Sequence, residues 1–411
     1  MRLEERQVAI GDLRVGMYVC RLDRGWEGTP FPLQGVMVSS EADIDRLGEW
    51  ARHVFVDIEL GLAPDEPAAP LRRRAPARQY DEAEVENLRG HERYRDTVPF
   101  EEEVPQARDA RRRAAEFAVR MLDDVRDGRP IQVDEVRDAV EPMVRSVLRN
   151  ADAFLWVESL RQRDAYQYRH ALNCSALAAA FGRHIGFPED LLTDVASGGL
   201  LLDIGKARLP SGLVDRDGPL APTEMADVRL HVEHGLDLLR RSPHFPAHID
   251  AMVRGHHERE DGSGYPDGCP GARIPLLARI AGVIDSYDAM TNDRPHRKAL
   301  SRHAALQVLY RERDRLYASE IVEQFMQCLC VYPTGSLVEL NTGEVAVVMA
   351  QNAARRLRPR VMVLTAPDKS LLPHFRALDL MAQSETGERQ VLIAGTLPAG
   401  AYGLDSAELY L

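Results

Sequence analysis

The chain is poor in lysine and has no long apolar segment. Only Lys206, Lys298 and Lys369 occur, so arginine carries nearly all of the positive charge. The formal charge of −12 excludes a general surface for nucleic-acid polymers or anionic lipid, since both bind basic proteins. No run of about 18 apolar residues occurs, and the start MRLEERQVAIGDL lacks the apolar core of a signal peptide. We therefore expect a cytoplasmic protein without membrane insertion.

Cysteine is also scarce, and its spacing gives no disulfide framework. The five cysteines are scattered and odd in number, as is usual for reduced thiols in a cytoplasm. They are Cys20, Cys174, Cys269, Cys328 and Cys330. A C-x-C pair without further partners is a weak metal signal, so we interpret Cys328 and Cys330 as core or bystander residues.

What the chain does contain is enough apolar material, 45% of 411 residues, for about two or three folded domains. The pattern predicts a mainly α protein with a β-rich module at each end. Short alternating runs indicate strands between residues 6 and 58, with a helix near 41–51. Helical periodicity begins at about residue 103, and strands return after Tyr332-Pro333, with NTG as a hairpin turn.

The predicted boundaries follow these changes of pattern. They are a small β-rich N-terminal domain at 1–62, a linker rich in Pro, Ala and charge at 63–102, connecting helices at 103–162, a helical domain at 163–330, and a β-rich C-terminal segment at 331–411.

Histidines concentrate in the helical region, where eight of the thirteen lie between His170 and His257. Asp203 follows the apolar run SGGLLL, and a carboxylate in such a setting needs a charged partner or a metal. Imidazole and carboxylate ligands together favour Fe, Mn, Zn or Ni over Ca or Mg. In chain order, the candidate ligands are His170, Asp203, His231, His256, His257 and Asp285. We interpret His184, His234, His244 and His248 as ordinary surface or core residues.

The most specific signal is the loop HHEREDGSGYPDGCPGARIP at 256–275. Its four glycines permit positive φ and close approach of the backbone to a ligand. They are Gly262, Gly264, Gly268 and Gly271. Tyr265 can donate a hydrogen bond or stack.

These motifs resemble the HD-GYP domain, a branch of the HD phosphohydrolases that hydrolyses the bacterial messenger cyclic di-GMP. The resemblance covers about residues 163 to 325, with five motifs in the family's order: RDAYQYRHALNCSALA, LDIGKARLP, GPLAPTEMADVRLHVEHG, HHEREDGSGYPDG and ARIAGVIDSYDAMTNDRPHRKAL. Residues 6–58 are similar to the small domain that often precedes it. The resemblance implies an HD-type helical fold.

The resemblance also implies roles for single residues. His170, Asp203 and Asp285 would hold a first metal ion, and Asp203, His231, His256 and His257 a second, with Asp203 as the bridge. Lys206 would contact the scissile phosphate or assist proton transfer. Gly264, Tyr265 and Pro266 would form a lip of the site, and Arg294 and Arg297 would contact phosphate, which suits the guanidinium fork. The cofactors would be two divalent transition-metal ions, Fe or Mn before Zn or Ni.

At two positions the sequence departs from the family. The family has a histidine ligand immediately before the bridging aspartate, where this chain has Leu202, so the first site would keep three ligands. Tyr166 stands where some members place a glutamate that binds a third metal, so we expect no third ion. We expect Leu202 to lower occupancy of the first site.

Two functions of different classes remain open from sequence. One is a phosphodiesterase that hydrolyses cyclic di-GMP to pGpG and GMP, attenuated by Leu202. The other is an inactive receptor for cyclic di-GMP or a protein-interaction module. Hydrolysis of another cyclic dinucleotide or nucleotide is a more distant reading. A homodimer and other signalling proteins are the partners considered.

Overall fold

A computed structural model of the chain confirms the mainly α fold class. It describes residues 5–23, 29, 31, 35–38, 40–57, 90, 92–160, 166–210, 212–213, 218, 221–241, 245–293, 298–352, 354–382 and 390–404. Most of the predicted linker at 63–102 lies outside these residues. The chain divides into two compact units, one of Met1–Gln79 with Asn352–Leu357 and one of Tyr80–Gln351 with Arg358–Leu411.

The first unit is a small antiparallel sheet with one helix. Its strands are β1 (Glu5–Ala9), β2 (Tyr18–Leu22), β3 (Val36–Met37) and β4 (His53–Asp57), in the order β1-β4-β2-β3. Helix α1 (Glu41–Trp50) begins at a capping box, in which Ser40 and Asp43 each accept the other's backbone N–H. The helix predicted near 41–51 is therefore confirmed, and its Leu47 shares the core with the sheet.

The helical part of the second unit follows the predicted breaks. Its helices are α2 (Phe100–Arg126), α3 (Val133–Arg149), α4 (Ala151–Ser159), α5 (Tyr166–Ile185), α6 (Glu189–Leu201), α7 (Pro222–Arg229), α8 (His231–Arg240), α9 (Ala247–Gly255), α10 (Leu276–Thr291), α11 (Arg302–Arg311) and α12 (Ser319–Leu329). Gly186, with φ of 85°, and Pro188 separate α5 from α6. Among the described residues, no helix combines the length and the apolarity that a membrane span requires.

The C-terminal strands form an antiparallel sheet in the same unit. They are β5 (Leu337–Leu340), β6 (Val345–Ala350), β7 (Arg360–Thr365), β8 (Leu371–Asp379) and β9 (Ile393–Thr396), in the order β8-β7-β6-β5-β9. The NTG turn joins β5 to β6 as predicted, and Gly343 N–H donates to Leu340 O over 2.8 Å.

Asp152, in the first turn of α4, links the helices to the segments flanking this sheet. Its carboxylate accepts the Thr334 hydroxyl at 2.9 Å and the Gln351 N–H at 2.7 Å. Burial nevertheless raises the pKa of Asp152 to about 6.

Candidate metal centre

Asp203 lies just past the end of α6, at the start of a short 3₁₀ turn, Ile204–Arg208. Gly205 in this turn packs against the first turn of α8, where a Cβ would lie only 1.9 Å from the carbonyl oxygen of His231. Only glycine allows this approach. The close packing brings Asp203 to His231, although the two residues are far apart in sequence.

Four of the predicted ligands form one cluster. The ligand atoms of Asp203, His231, His256 and His257 all lie within 4.8 Å of one another. Asp203 Oδ1 is 3.3 Å from His231 Nε2 and 3.8 Å from His256 Nε2. This oxygen is buried and accepts no hydrogen bond from the described residues, which is costly for a carboxylate unless a cation faces it.

The hydrogen bonds of the histidine rings also indicate a place for a cation. His231 Nδ1 is 2.7 Å from Val228 O and His256 Nδ1 is 2.8 Å from Val253 O. A carbonyl oxygen only accepts, so each Nδ1 carries a proton and each Nε2 is the nitrogen turned toward Asp203. The two Nε2 atoms lie 3.4 Å apart. Burial lowers the pKa of His231 to about 4, so the ring is neutral and suited to bind a cation.

A second cluster shares Asp203. His170 Nε2 lies 3.3 Å from Asp203 Oδ2 and 3.2 Å from Asp285 Oδ1, and the three residues form a separate group of metal-ligand spacing. Burial would raise the pKa of Asp285, but the hydrogen bond with His170 and the nearby imidazole of His257 hold it well below its usual range. Asp203 thus turns one oxygen to each cluster, as a bridging ligand must.

Asp288 belongs to this centre and was missed by sequence reasoning. Its Oδ2 lies 2.7 Å from His170 Nδ1, and its Oδ1 accepts the side-chain amides of Asn173 at 2.6 Å and Asn292 at 2.8 Å. A carboxylate behind a metal-binding histidine fixes the tautomer and orientation of the ring. The signal was present in DSYD, because Asp288 lies three residues after Asp285 on one face of α10.

Lys206 lies at the same carboxylate. Its ammonium contacts Asp203 Oδ2, and the side chain is 18% exposed. Burial would raise the pKa of Asp203, and the charge of Lys206 is the largest influence that lowers it well below its usual range. Lys206 therefore places a positive charge at the shared carboxylate on a side chain that is in part exposed to solvent.

The glycine-rich loop closes one side of the metal centre. Glu258 anchors it by accepting the N–H groups of Asp267 at 2.7 Å and Cys269 at 2.9 Å. Tyr265, which forms a cis peptide bond with Pro266, stacks on His257 with ring centroids 4.5 Å apart. Burial raises the pKa of Tyr265 above its ordinary value, so its hydroxyl stays protonated.

The glycines of this loop serve different purposes. Positive φ is confirmed at Gly262, Gly268 and Gly271. Gly264 does not have a positive φ. Glycine is needed at 264 for close packing, because a Cβ would lie 2.4 Å from His257 O.

Leu202 is the last residue before Asp203, and it is buried with 1% exposure. Arg294 and Arg297 lie outside the described residues, as does the side chain of Tyr166. His248, interpreted as a bystander, hydrogen-bonds Asp194 at 2.8 Å.

Comparisons with known proteins find relatives of this chain. Family models match the HD domain at residues 151–321, a domain of unknown function (DUF3391) at 5–136, and a KOW domain associated with HD domains at 337–386. The cyclic di-GMP phosphodiesterase PA4108 of Pseudomonas aeruginosa is 33% identical over 401 residues, which cover 97% of this chain and 93% of that protein.

Two further matches cover less of the chain. The cyclic di-GMP phosphodiesterase response regulator RpfG of Xanthomonas campestris is 35% identical over 37% of this chain and 41% of its own length. The 3′3′-cGAMP-specific phosphodiesterase 2 of Vibrio cholerae is 29% identical over 41% of this chain and 31% of its own length.

The fold and the site define an HD-type domain with a histidine and carboxylate centre that can hold metal ions. With the nearly full-length match, the chain belongs to the HD-GYP family.

Proposed function

We propose that this chain is a metal-dependent phosphodiesterase that hydrolyses cyclic di-GMP. The observation that carries the proposal is the shared carboxylate of Asp203, which faces His231 with one oxygen and His170 with the other. The relatives named as cyclic di-GMP phosphodiesterases support the choice of substrate. Because cyclic di-GMP is a bacterial messenger, the proposal places the protein in the cytoplasm.

The donor atoms fit two divalent transition-metal ions. His170, Asp203 and Asp285 would hold one, and Asp203, His231, His256 and His257 the other. Imidazole and carboxylate ligands together suit Fe, Mn, Zn or Ni, and the family resemblance favours Fe or Mn. When bound, such ions neutralise phosphodiester charge and lower the pKa of water so that it can attack phosphorus.

The protein residues then bind and orient the phosphodiester. Lys206 would place its ammonium on a phosphate oxygen, or supply the proton that the leaving ribose oxygen takes up when its bond to phosphorus breaks. Gly264, Tyr265 and Pro266 would form the lip over the substrate, with the protonated Tyr265 hydroxyl as a donor. Arg294 and Arg297 would add phosphate contacts. Asp288 would hold His170 in the orientation that presents Nε2.

Attack on one phosphodiester opens the ring to the linear dinucleotide pGpG, and a second hydrolysis gives GMP. Leu202 leaves the first site with three protein ligands. Catalytic metal sites work with three protein ligands and an open position, so we expect a weaker first site and slower turnover. The receptor alternative rests on Leu202 alone.

The test is a product analysis by liquid chromatography with mass detection, using Mn- or Fe-loaded protein and cyclic di-GMP. We expect pGpG or GMP from the wild-type chain, loss of both for Asp203→Asn, and normal rates for the exposed control Asp190→Asn. Wild-type protein that binds cyclic di-GMP but forms neither pGpG nor GMP would establish the receptor instead. Parallel reactions with 3′3′-cGAMP determine whether another cyclic dinucleotide is the preferred substrate.

A further inference from the structure

Arg229 lies at the edge of the metal centre and has no role in the proposed hydrolysis so far. It is the last residue of α7, two residues before His231, and its side chain is exposed. Its guanidinium carbon lies 4.8 Å from the ring centroid of Tyr265, within the range of a cation–π contact. Tyr265 in turn stacks on His257. Arg229 is therefore linked to the candidate ligand His257 through the ring of Tyr265.

The neighbouring arginines are already occupied. Arg208 binds Asp237, Arg254 binds Asp267 at 2.7 Å, and Arg259 donates to the carbonyl oxygen of His256 at 3.0 Å. In the part of the chain that the structure describes, Arg229 has no carboxylate partner. The Tyr265 ring attracts the guanidinium without using its N–H groups in a salt bridge, so these donors are left for an anion.

A cyclic dinucleotide has two phosphodiesters, and only one at a time can be attacked at the metal centre. The other keeps its negative charge and must be met by residues that surround the metal centre. A guanidinium held on Tyr265 is placed to meet it, and charge-assisted hydrogen bonds to phosphate are among the stronger polar contacts.

We propose that Arg229 binds the phosphodiester of the substrate that is not being cleaved. This inference rests on the proposed function, since it requires a substrate with two phosphodiesters. It makes Arg229 a residue that selects cyclic dinucleotides over simple diesters while leaving the chemical step unchanged.

The test compares two substrates on the metal-loaded, full-length protein: cyclic di-GMP, and bis(p-nitrophenyl) phosphate, which has a single phosphodiester. For Arg229→Gln we expect KM for cyclic di-GMP to rise about 10-fold, the size of one exposed charge-assisted contact, with kcat retained. We expect KM and kcat for bis(p-nitrophenyl) phosphate to be unchanged. For Arg229→Lys we expect a smaller rise in KM for cyclic di-GMP than for Arg229→Gln. Arg240→Gln, an exposed arginine on α8, is the matched control and should leave both substrates unaffected.

Equal losses on both substrates would overturn the inference, because they would mean that Arg229 only supports the loop through Tyr265. A rise in KM for cyclic di-GMP but not for cyclic di-AMP would also overturn it, by showing a guanine contact. If wild type neither binds nor hydrolyses cyclic di-GMP but cleaves the simple diester, the proposed function fails. If wild type binds and hydrolyses cyclic di-GMP, and KM of Arg229→Gln for cyclic di-GMP equals that of wild type, only the assignment of Arg229 fails.

Discussion

His170 Nδ1 lies 2.7 Å from Asp288 Oδ2, and this contact fixes which ring nitrogen of His170 faces the centre. Asp288 is 2% exposed and is itself held by Asn173 and Asn292. The orientation of the first cluster is thus set by a carboxylate that need not touch a metal.

We predict that Asp288→Asn weakens metal binding at the first site about 10–100-fold, the usual cost of losing such an outer carboxylate. An amide can present its NH₂ to His170 and so favour the wrong tautomer. Metal titration followed by calorimetry measures the effect, with Asp190→Asn as the exposed control. Unchanged affinity in Asp288→Asn would show that Asp288 does not orient the ligand.

A second prediction concerns Leu202 itself. Leu202→His should raise the amount of Mn retained after gel filtration from about one to about two ions per chain, because a four-ligand site binds more tightly than a three-ligand site. Leu202→Met fills similar volume without an imidazole and should stay near one. The reading of Leu202 as the cause of a weak site is wrong if both variants retain the same amount as wild type.

A third prediction concerns Lys206, whose removal should slow hydrolysis without lowering the metal content. For Lys206→Met we predict a fall in kcat of about 100- to 1,000-fold, typical of removing one group that stabilises transition-state charge, while the metal content is kept. The metal content should not fall, because the Lys206 ammonium competes with a metal ion for Asp203 Oδ2. Elemental analysis alongside kinetics checks both parts. Loss of metal together with activity would make Lys206 a structural residue instead.

Asp152 gives a prediction about pH and stability. Its folded pKa of about 6 lies above the ordinary 3.8, so folding favours the protonated form. Its contribution of up to about 3 kcal/mol is fully present below pH 4 and is lost as the pH rises through 6. The free energy of unfolding of wild type minus that of Asp152→Asn, measured by urea denaturation in EDTA, should therefore fall between pH 4 and 7. A difference that grows with pH would contradict this.

Much of the fold was predictable because local signals were strong. The break at Gly186 to Pro188 and the NTG turn follow from backbone chemistry that a sequence displays directly. The grouping of His231 with Asp203 was expected only from the family resemblance, since it depends on Gly205 packing against a helix remote in sequence. Asp288 and Arg229 were not predicted. The DSYD spacing places Asp288 on the same helix face as Asp285, but it does not show that Asp288 contacts His170 Nδ1. Nothing in the sequence indicates that Arg229 lies against the Tyr265 ring.

The most direct test of the central claim is the initial rate of cyclic di-GMP hydrolysis as a function of the number of Mn or Fe ions bound per chain. We predict no product in metal-free protein, and a rate that rises with occupancy as the weaker first site fills. Protein with both sites filled that binds cyclic di-GMP and forms neither pGpG nor GMP would contradict it.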